Sequence, residues 1–175
     1  MRIFFAVEFP SEARRILADY AVRLTKSLPG ARPVRADLIH LTLYFVGEQT
    51  PGQTTALAGL LRGLSTPNPF PLRIGQLGTF RSGRGYTLWA GLEPQPALHI
   101  FQKTLADRLA AEGYPSAATH FVPHITLARE SPSGGPATGF LPPPPLEIPV
   151  VSATLFESLR QDGRLIYRPH TVRSF

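Results

Sequence analysis

His40-Leu41-Thr42-Leu43 and His124-Ile125-Thr126-Leu127 are two copies of one pattern, a histidine, an apolar residue, a threonine and a leucine. Both sit inside strand-like runs, Asp37–Gly47 and His120–Arg129. On a β-strand, side chains two apart share a face, roughly 6.6 Å from one another along the chain. Each run therefore offers an imidazole and a hydroxyl to one side while its aliphatic residues go to the other. One His-x-Thr alone reads as a half-buried strand histidine. The repetition with matching flanks points to function, because a core gains nothing from it. Imidazole, with an unperturbed pKa of ~6.5, gives or takes a proton near neutral pH. Two strands of this kind predict a cleft with paired imidazoles and paired hydroxyls, the equipment for acid–base chemistry on a phosphodiester without a metal.

Around these strands the pattern alternates between strands and helices. Met1–Phe9 reads as a strand. Ala13, Ile16, Leu17, Tyr20, Ala21 and Leu24 have helical spacing, with Ser11 as the expected N-cap and Leu28-Pro29-Gly30 as the stop. Val34–Arg35 and Ile39–Val46 read as strands, the second closed by Gly47. Pro51–Leu64 reads as a helix. Leu72–Phe80 and Tyr86–Leu92 form a hairpin around the glycine-rich turn Arg81–Gly85. Pro96–Ala111 is a third helix stopped by Gly113, and the second His/Thr strand follows at Pro123–Arg129. Ser131–Pro145 is a Pro/Gly/Ser-rich loop, and Leu146–Ser158 with Arg164–Val172 make a last strand pair. The expected fold class is α+β, with helices against antiparallel sheet. The motifs stand in different halves of the chain, so an internal duplication giving two pseudo-symmetric lobes is expected.

Composition narrows the function. A chain of 175 residues, 43% hydrophobic, builds one ordinary core, so residues 1–175 are expected to form one bilobal domain. No apolar run approaches membrane-spanning length, and the start lacks a signal-peptide pattern, so a cytoplasmic protein is expected. With no cysteine, thiolate chemistry and disulfides are excluded. The net charge of +6 favours an anionic partner. Lys26 and Lys103 are the only lysines; the other basic residues are arginines, which suit bidentate phosphate recognition. A G+C-rich genome inflates Arg, Ala, Gly and Pro in the same way, so the charge supports nucleic acid without establishing it.

Other chemistries find less support. His120 and His124 would share a metal only on a helix, and Pro123 between them excludes one; no metal or other cofactor is expected. Gly83-Arg84-Gly85 and Gly134-Gly135 lack the spacing and the Lys-Ser/Thr of nucleotide loops. No Gly-x-Ser-x-Gly elbow appears. Arg129 falls opposite His124 and Thr126 under strict alternation unless the strand ends or bulges there; it is a candidate phosphate ligand. Phe45 and Phe121 are candidates to stack on a base, with core packing the plainer role for either. Trp89 reads as core.

Taken together, the paired motifs, the opening Met1–Val7, His40–Gly47, Leu88–Leu92, Phe121–Arg129 and the late Gly163 to Tyr167 stretch resemble the two-histidine phosphoesterases. The resemblance is to the RNA 2′,3′-cyclic phosphodiesterases, also called 2′-5′ RNA ligase-like proteins. One departure is Arg35-Ala36, where the family leads one to expect a tryptophan. The resemblance implies a bilobal fold with the motifs facing one another across a central cleft. It implies RNA with a 2′,3′-cyclic phosphate end, tRNA fragments among them, as the partner, a monomeric enzyme, and a 2′-phosphomonoester product. It also implies His40 as proton donor and His124 as proton acceptor, with Thr42 and Thr126 holding the phosphate. Three alternatives stay open: small cyclic phosphates or 2′-5′ oligonucleotides as substrates, 2′-5′ ligation in reverse, and a module that binds RNA ends without turnover.

Overall fold

Alternation builds a sheet with two different faces. In β1 (Arg2–Glu8), Ile3, Phe5 and Val7 enter the main core, while Phe4 and Ala6 are buried on the opposite face. The computed structural model describes residues 1–83, 85–114, 120–134, 139 and 141–175; Arg84 of the expected hairpin turn, and Gly135–Thr138 and Phe140 of the expected loop, lie outside the described residues. After β1 come α1 (Ser11–Thr25), the short β2 (Arg32–Pro33), a single 3₁₀ turn (Ala36–Leu38) and β3 (His40–Glu48). Next are α2 (Pro51–Gly63), β4 (Phe70–Ser82), β5 (Gly85–Leu92), α3 (Pro96–Ala111) and β6 (His124–Ser131). The chain ends with β7 (Glu147–Val150), β8 (Ser152–Gln161) and β9 (Arg164–Ser174).

Capping chemistry sets some of these boundaries. The Thr50 hydroxyl accepts from the Gln53 amide, and the Gln53 side chain accepts from the Thr50 amide, so α2 starts in a capping box with Pro51 at its first position. Ser11 does not cap α1; the helix begins at Ser11 itself after Pro10, with no side-chain cap. Proline's fixed φ turns the chain into the helix one residue earlier than the serine signal suggested.

Read from either edge, the sheet has the same antiparallel plan. The order is β7-β4-β5-β6-β3-β1-β8-β9, with β2 added beside β6. Thus β6, β5, β4, β7 in one lobe answer to β3, β1, β8, β9 in the other, and β1–α1–β3 answers to β5–α3–β6. The lobes meet at the β3–β6 pairing, where Leu41 lies opposite Ile125. The helices line the core face. Leu17, Tyr20 and Leu24 of α1 and Leu98, Phe101, Leu105 and Leu109 of α3 join one cluster with Ile3, Leu41, Leu88 and Ile125. Burying one such side chain contributes roughly 2 kcal/mol, so this face holds the lobes together. Among the described residues no helix is long and apolar enough to cross a membrane.

Leu146–Ser158, expected as one strand, is two strands. β7 pairs with β4 and β8 with β1, so Val151 alone connects opposite lobes. Pro149 lies opposite Pro71 in the β4–β7 pairing. Neither can donate to the ladder, which restricts this run to a short edge strand. The expected strand at Val34–Arg35 is also displaced: β2 occupies Arg32–Pro33, and the Val34 amide donates to the Leu127 carbonyl at 2.8 Å.

Matched bulges place the site. Ala6 faces Thr42 and Phe5 faces Tyr44, so the β1–β3 register skips Leu43. Trp89 faces Thr126 and Leu88 faces Ala128, so the β5–β6 register skips Leu127. An inserted residue shifts the alternation by one. Leu43 and Tyr44, and Leu127 and Ala128, are consecutively buried, and Phe45 and Arg129 emerge on the His/Thr face.

The indole of Trp89 lies on that same face, and glycine makes room for it. A Cβ at Gly78 would overlap the Trp89 ring, and one at Gly91 would come within 3.1 Å of it. Gly78→Ala is expected to cost about 1–3 kcal/mol through overpacking and to lower the melting temperature by several degrees. Because Trp89 is the only tryptophan, its emission should shift as well. An unchanged melt and spectrum would contradict this packing.

Candidate active site

Both motif histidines are held in the same way, through the carbonyl two residues upstream. His40 Nδ1 lies 2.7 Å from the Leu38 carbonyl oxygen, and His124 Nδ1 lies 2.7 Å from the Val122 carbonyl oxygen. A carbonyl only accepts, so Nδ1 carries a proton in each ring and Nε2 is the nitrogen left for chemistry. His40 Nε2 lies 3.0 Å from Thr42 Oγ1. In the neutral ring that contact is a hydroxyl donating to Nε2.

Aromatic rings hold each imidazole from the side. The His40 ring is 5.2 Å from Phe4 and 5.1 Å, edge-on, from Tyr167. The His124 ring is 5.0 Å, edge-on, from Phe80 and 6.0 Å from Trp89. Trp89 is in turn stacked on Phe80, 4.9 Å between centroids. The sequence reading put Trp89 in the core. It instead lies on the sheet face that carries the cleft, packed against Phe80 and His124, because its partner across the ladder is Thr126.

This enclosure makes His40 electrostatically unusual. Burial between rings disfavours the charged imidazolium and pushes its pKa down to about 4. The hydrogen bond to Leu38 opposes that, while the Arg129 and His124 charges add to it. In the unliganded protein His40 is therefore neutral at neutral pH, with Nε2 unprotonated. Burial pushes the Tyr167 phenol up, against the charges of Arg129, Arg2 and Arg35, so it remains an O–H donor near neutral pH.

The imidazoles open onto one cleft of about 740 Å³. His40, Thr42, His124 and Thr126 line it together with Phe45, Arg129 and Tyr167. Among the described residues, Arg129 has no carboxylate partner; Arg32 pairs with the neighbouring Glu130 instead, at 3.0 Å. Phe45 is 51% exposed, with the Arg2 guanidinium 4.9 Å from its ring centroid. A somewhat larger hollow, about 870 Å³ between α2 and α3, holds no imidazole, so chemistry rather than volume identifies the site.

Of the residues singled out in the sequence, His40, Thr42, Phe45, His124, Thr126 and Arg129 come together in the cleft. Phe121 does not. It packs against the core, its ring edge-on to His99 of α3 at 5.7 Å, because Pro123 and the turn into β6 direct it to the helix side. Sequence reasoning missed Phe4 and Phe80 as walls for the two histidines. Their even placement along β1 and β4 was readable, but strand pairing was needed to show which imidazole each would meet.

The sequence model of the 2′-5′ RNA ligase superfamily matches residues 10–162. A protein of Escherichia coli K12 named RNA 2′,3′-cyclic phosphodiesterase is 33% identical over 172 residues, covering 96% of this chain and 93% of its own length. The crystal structure of Escherichia coli LigT complexed with 3′-AMP superposes with a TM-score of 0.82 at 31% identity, covering 99% of this chain and 97% of that one. A structure described only as a phosphoesterase superposes with a TM-score of 0.85 at 30% identity, covering 99% and 97%.

The His40 environment has a measurable consequence. A histidine whose pKa falls on folding, here from 6.5 to about 4, contributes full stability above the unfolded value. That contribution is lost as pH falls from ~6.5 toward ~4, by up to about 3 kcal/mol. A His40→Gln variant, which does not titrate, should show a flatter stability–pH curve across that window. Ring NMR of the wild type should give His40 a titration midpoint near 4; a midpoint near 6.5 would contradict the enclosure.

Proposed function

The chain belongs to the 2′-5′ RNA ligase superfamily and is an enzyme of it, and from that premise we propose that it hydrolyses RNA 2′,3′-cyclic phosphate ends to 2′-phosphomonoesters with two histidines and no metal. One observation carries the proposal. Two imidazoles with Nε2 left for chemistry face one cleft across the Leu41–Ile125 pairing. Proton removal and proton delivery can then act on a single phosphorus held between them.

In this mechanism neutral His124 accepts a proton from water as the water oxygen attacks phosphorus. The P–O3′ bond breaks, and His40 delivers a proton to the departing 3′ oxygen. The products are a 2′-phosphate and a free 3′-hydroxyl. The Thr42 and Thr126 hydroxyls donate to the non-bridging oxygens, where charge grows in the transition state. Arg129 adds a fixed cation there, and Phe45 offers a face for the terminal base. The donor role requires His40 to gain a proton as substrate binds. A phosphate anion in the cleft favours that, since an opposite charge within a few ångströms stabilises the imidazolium. With a 5′-hydroxyl in place of water as the nucleophile, the same forward steps break the P–O3′ bond and join RNA through a 2′-5′ bond.

The leaving group tests the division of labour. With EDTA present, wild-type enzyme should convert an RNA 2′,3′-cyclic end to a 2′-phosphate only. His40→Ala and His124→Ala should each lower kcat by ~10²–10⁴ on that RNA. On bis(p-nitrophenyl) phosphate, whose nitrophenolate leaves without a proton, His40→Ala should lose far less and His124→Ala just as much. The opposite pattern would exchange the two roles; full activity in either variant on RNA would end the scheme.

Base stacking supplies a separate check. Phe45→Ala should raise KM for a cyclic-ended RNA by about tenfold, as expected for the loss of one stacked base worth ~1–3 kcal/mol. An unaltered KM would remove Phe45 from the binding surface.

A further inference from the structure

The cleft does not stop at the imidazoles. It continues over β1 and the β8–β9 hairpin, where Arg2, Ser158, Arg160 and Leu165 line it. Cross-strand pairing explains this wall. Ser158 pairs with Tyr167 and Arg160 with Leu165, so all four stand on the face that Tyr167 presents to His40. Arg2 lies opposite Ser158 in the β1–β8 pairing and joins the same surface. From Phe156, which is stacked on Phe4 at 5.4 Å, to Arg160 is four residues, or roughly 13 Å of strand.

The charge on this wall is uncompensated. Its carboxylates are engaged elsewhere: Glu48 with the Met1 amino group at 3.2 Å, and Glu157 with His170 at 3.3 Å and Arg168 at 3.7 Å. Among the described residues neither Arg2 nor Arg160 has a carboxylate partner. The Arg160 side chain is exposed and donates to the Gly163 carbonyl of its own hairpin at 3.0 Å, which steadies it without neutralising it.

The wall is also fixed in place. Arg35 makes a two-pronged contact with Asp37, at 2.9 and 2.8 Å, and donates to the Leu165 carbonyl at 2.8 Å. Arg164 approaches the same Asp37 at 3.7 Å. Leu165, the residue opposite Arg160, is thereby tied to the segment just before His40. A cation held at a set distance from the reacting centre suits a second phosphate of the same strand.

We propose that Arg160, with Arg2, binds the internucleotide phosphate upstream of the cyclic end, so that the enzyme selects an RNA of two or more nucleotides over a mononucleoside cyclic phosphate. The proposal rests on the phosphodiesterase reading above. A second phosphate gripped by a guanidinium adds charge-assisted hydrogen bonds worth about tenfold in affinity or more.

The test compares adenosine 2′,3′-cyclic phosphate with the dinucleotide ApA ending in a 2′,3′-cyclic phosphate, for wild type, Arg160→Gln and Arg160→Lys. Wild type should favour the dinucleotide by about tenfold or more in kcat/KM, expressed mainly in KM. Arg160→Gln should erase most of that preference while melting like wild type, and Arg160→Lys should keep part of it. On longer RNA, the slope of log kcat/KM against log salt should become shallower by about 0.7 in Arg160→Gln, the share of one phosphate contact on a single strand. Equal wild-type kcat/KM on the two substrates would overturn the proposal, as would a proportional loss on both in Arg160→Gln. If wild type turns over neither substrate, the phosphodiesterase reading itself fails and this one goes with it.

Discussion

Everything in the site depends on one antiparallel contact, Leu41 against Ile125, at the seam between the lobes. Both residues are fully buried. Their pairing makes the two motifs approach with opposite chain directions, so each imidazole is presented beside the other strand's threonine. The seam is also the centre of the sheet's symmetry, since strand order reads the same outward from it in both directions. A slip of one residue here would turn the slipping strand's histidine and threonine into the core and its aliphatic residue into water. Hydrophobic burial on the far face therefore enforces catalytic register on the near one.

On this symmetric scaffold the chemistry is asymmetric. The two histidines share the same carbonyl anchor, yet their walls differ: Phe4 and Tyr167 around His40, Phe80 and Trp89 around His124. The small Ala6 holds the position on β1 that Trp89 holds on β5, and Phe156 and Tyr167 fill the space instead. Burial strong enough to push the His40 pKa down to about 4 makes the free site reluctant to hold two charges. An imidazolium forms there readily only when an anion arrives. In the proposed mechanism protonation and substrate binding are linked, and the linkage would favour phosphate over neutral ligands.

Much of this was readable in the chain. The His/Thr pairs, their shared face and the antiparallel α+β layout follow from period-two alternation and helical spacing, which are local. What alternation alone could not supply was pairing. The bulges at Leu43 and Leu127 move Phe45 and Arg129 onto the cleft face, and only the consecutive apolar pairs Leu43-Tyr44 and Leu127-Ala128 hint at them. The split of Leu146–Ser158 between lobes was hidden because β7 and β8 are separated by Val151 alone, with no glycine to mark the break. Phe121 was a stacking candidate from its nearness in sequence to His124, with core packing its plainer role, and core packing is what the structure shows. Its side chain was assigned by the turn before β6, which neither period nor composition encodes.

The bulges also give the cleft its two unlike walls. Leu43 and Leu127 are symmetry mates, and so are the residues they lift into the cleft, Phe45 and Arg129. An identical backbone device thus delivers an aromatic ring in one lobe and a guanidinium in the other. A nucleotide end is itself a two-part object, a flat base on one side of its sugar and a charged phosphate on the other. A symmetric pair of strands could grip a symmetric ligand with equal residues; unequal residues at equal places would suit a nucleotide end in one orientation only. In the proposed mechanism, that orientation would decide which ring oxygen stands next to which histidine. With acid and base proposed to be the same kind of residue, the unequal groups two positions past each motif, Phe45 and Arg129, would add to the unequal aromatic walls in telling the two histidines apart.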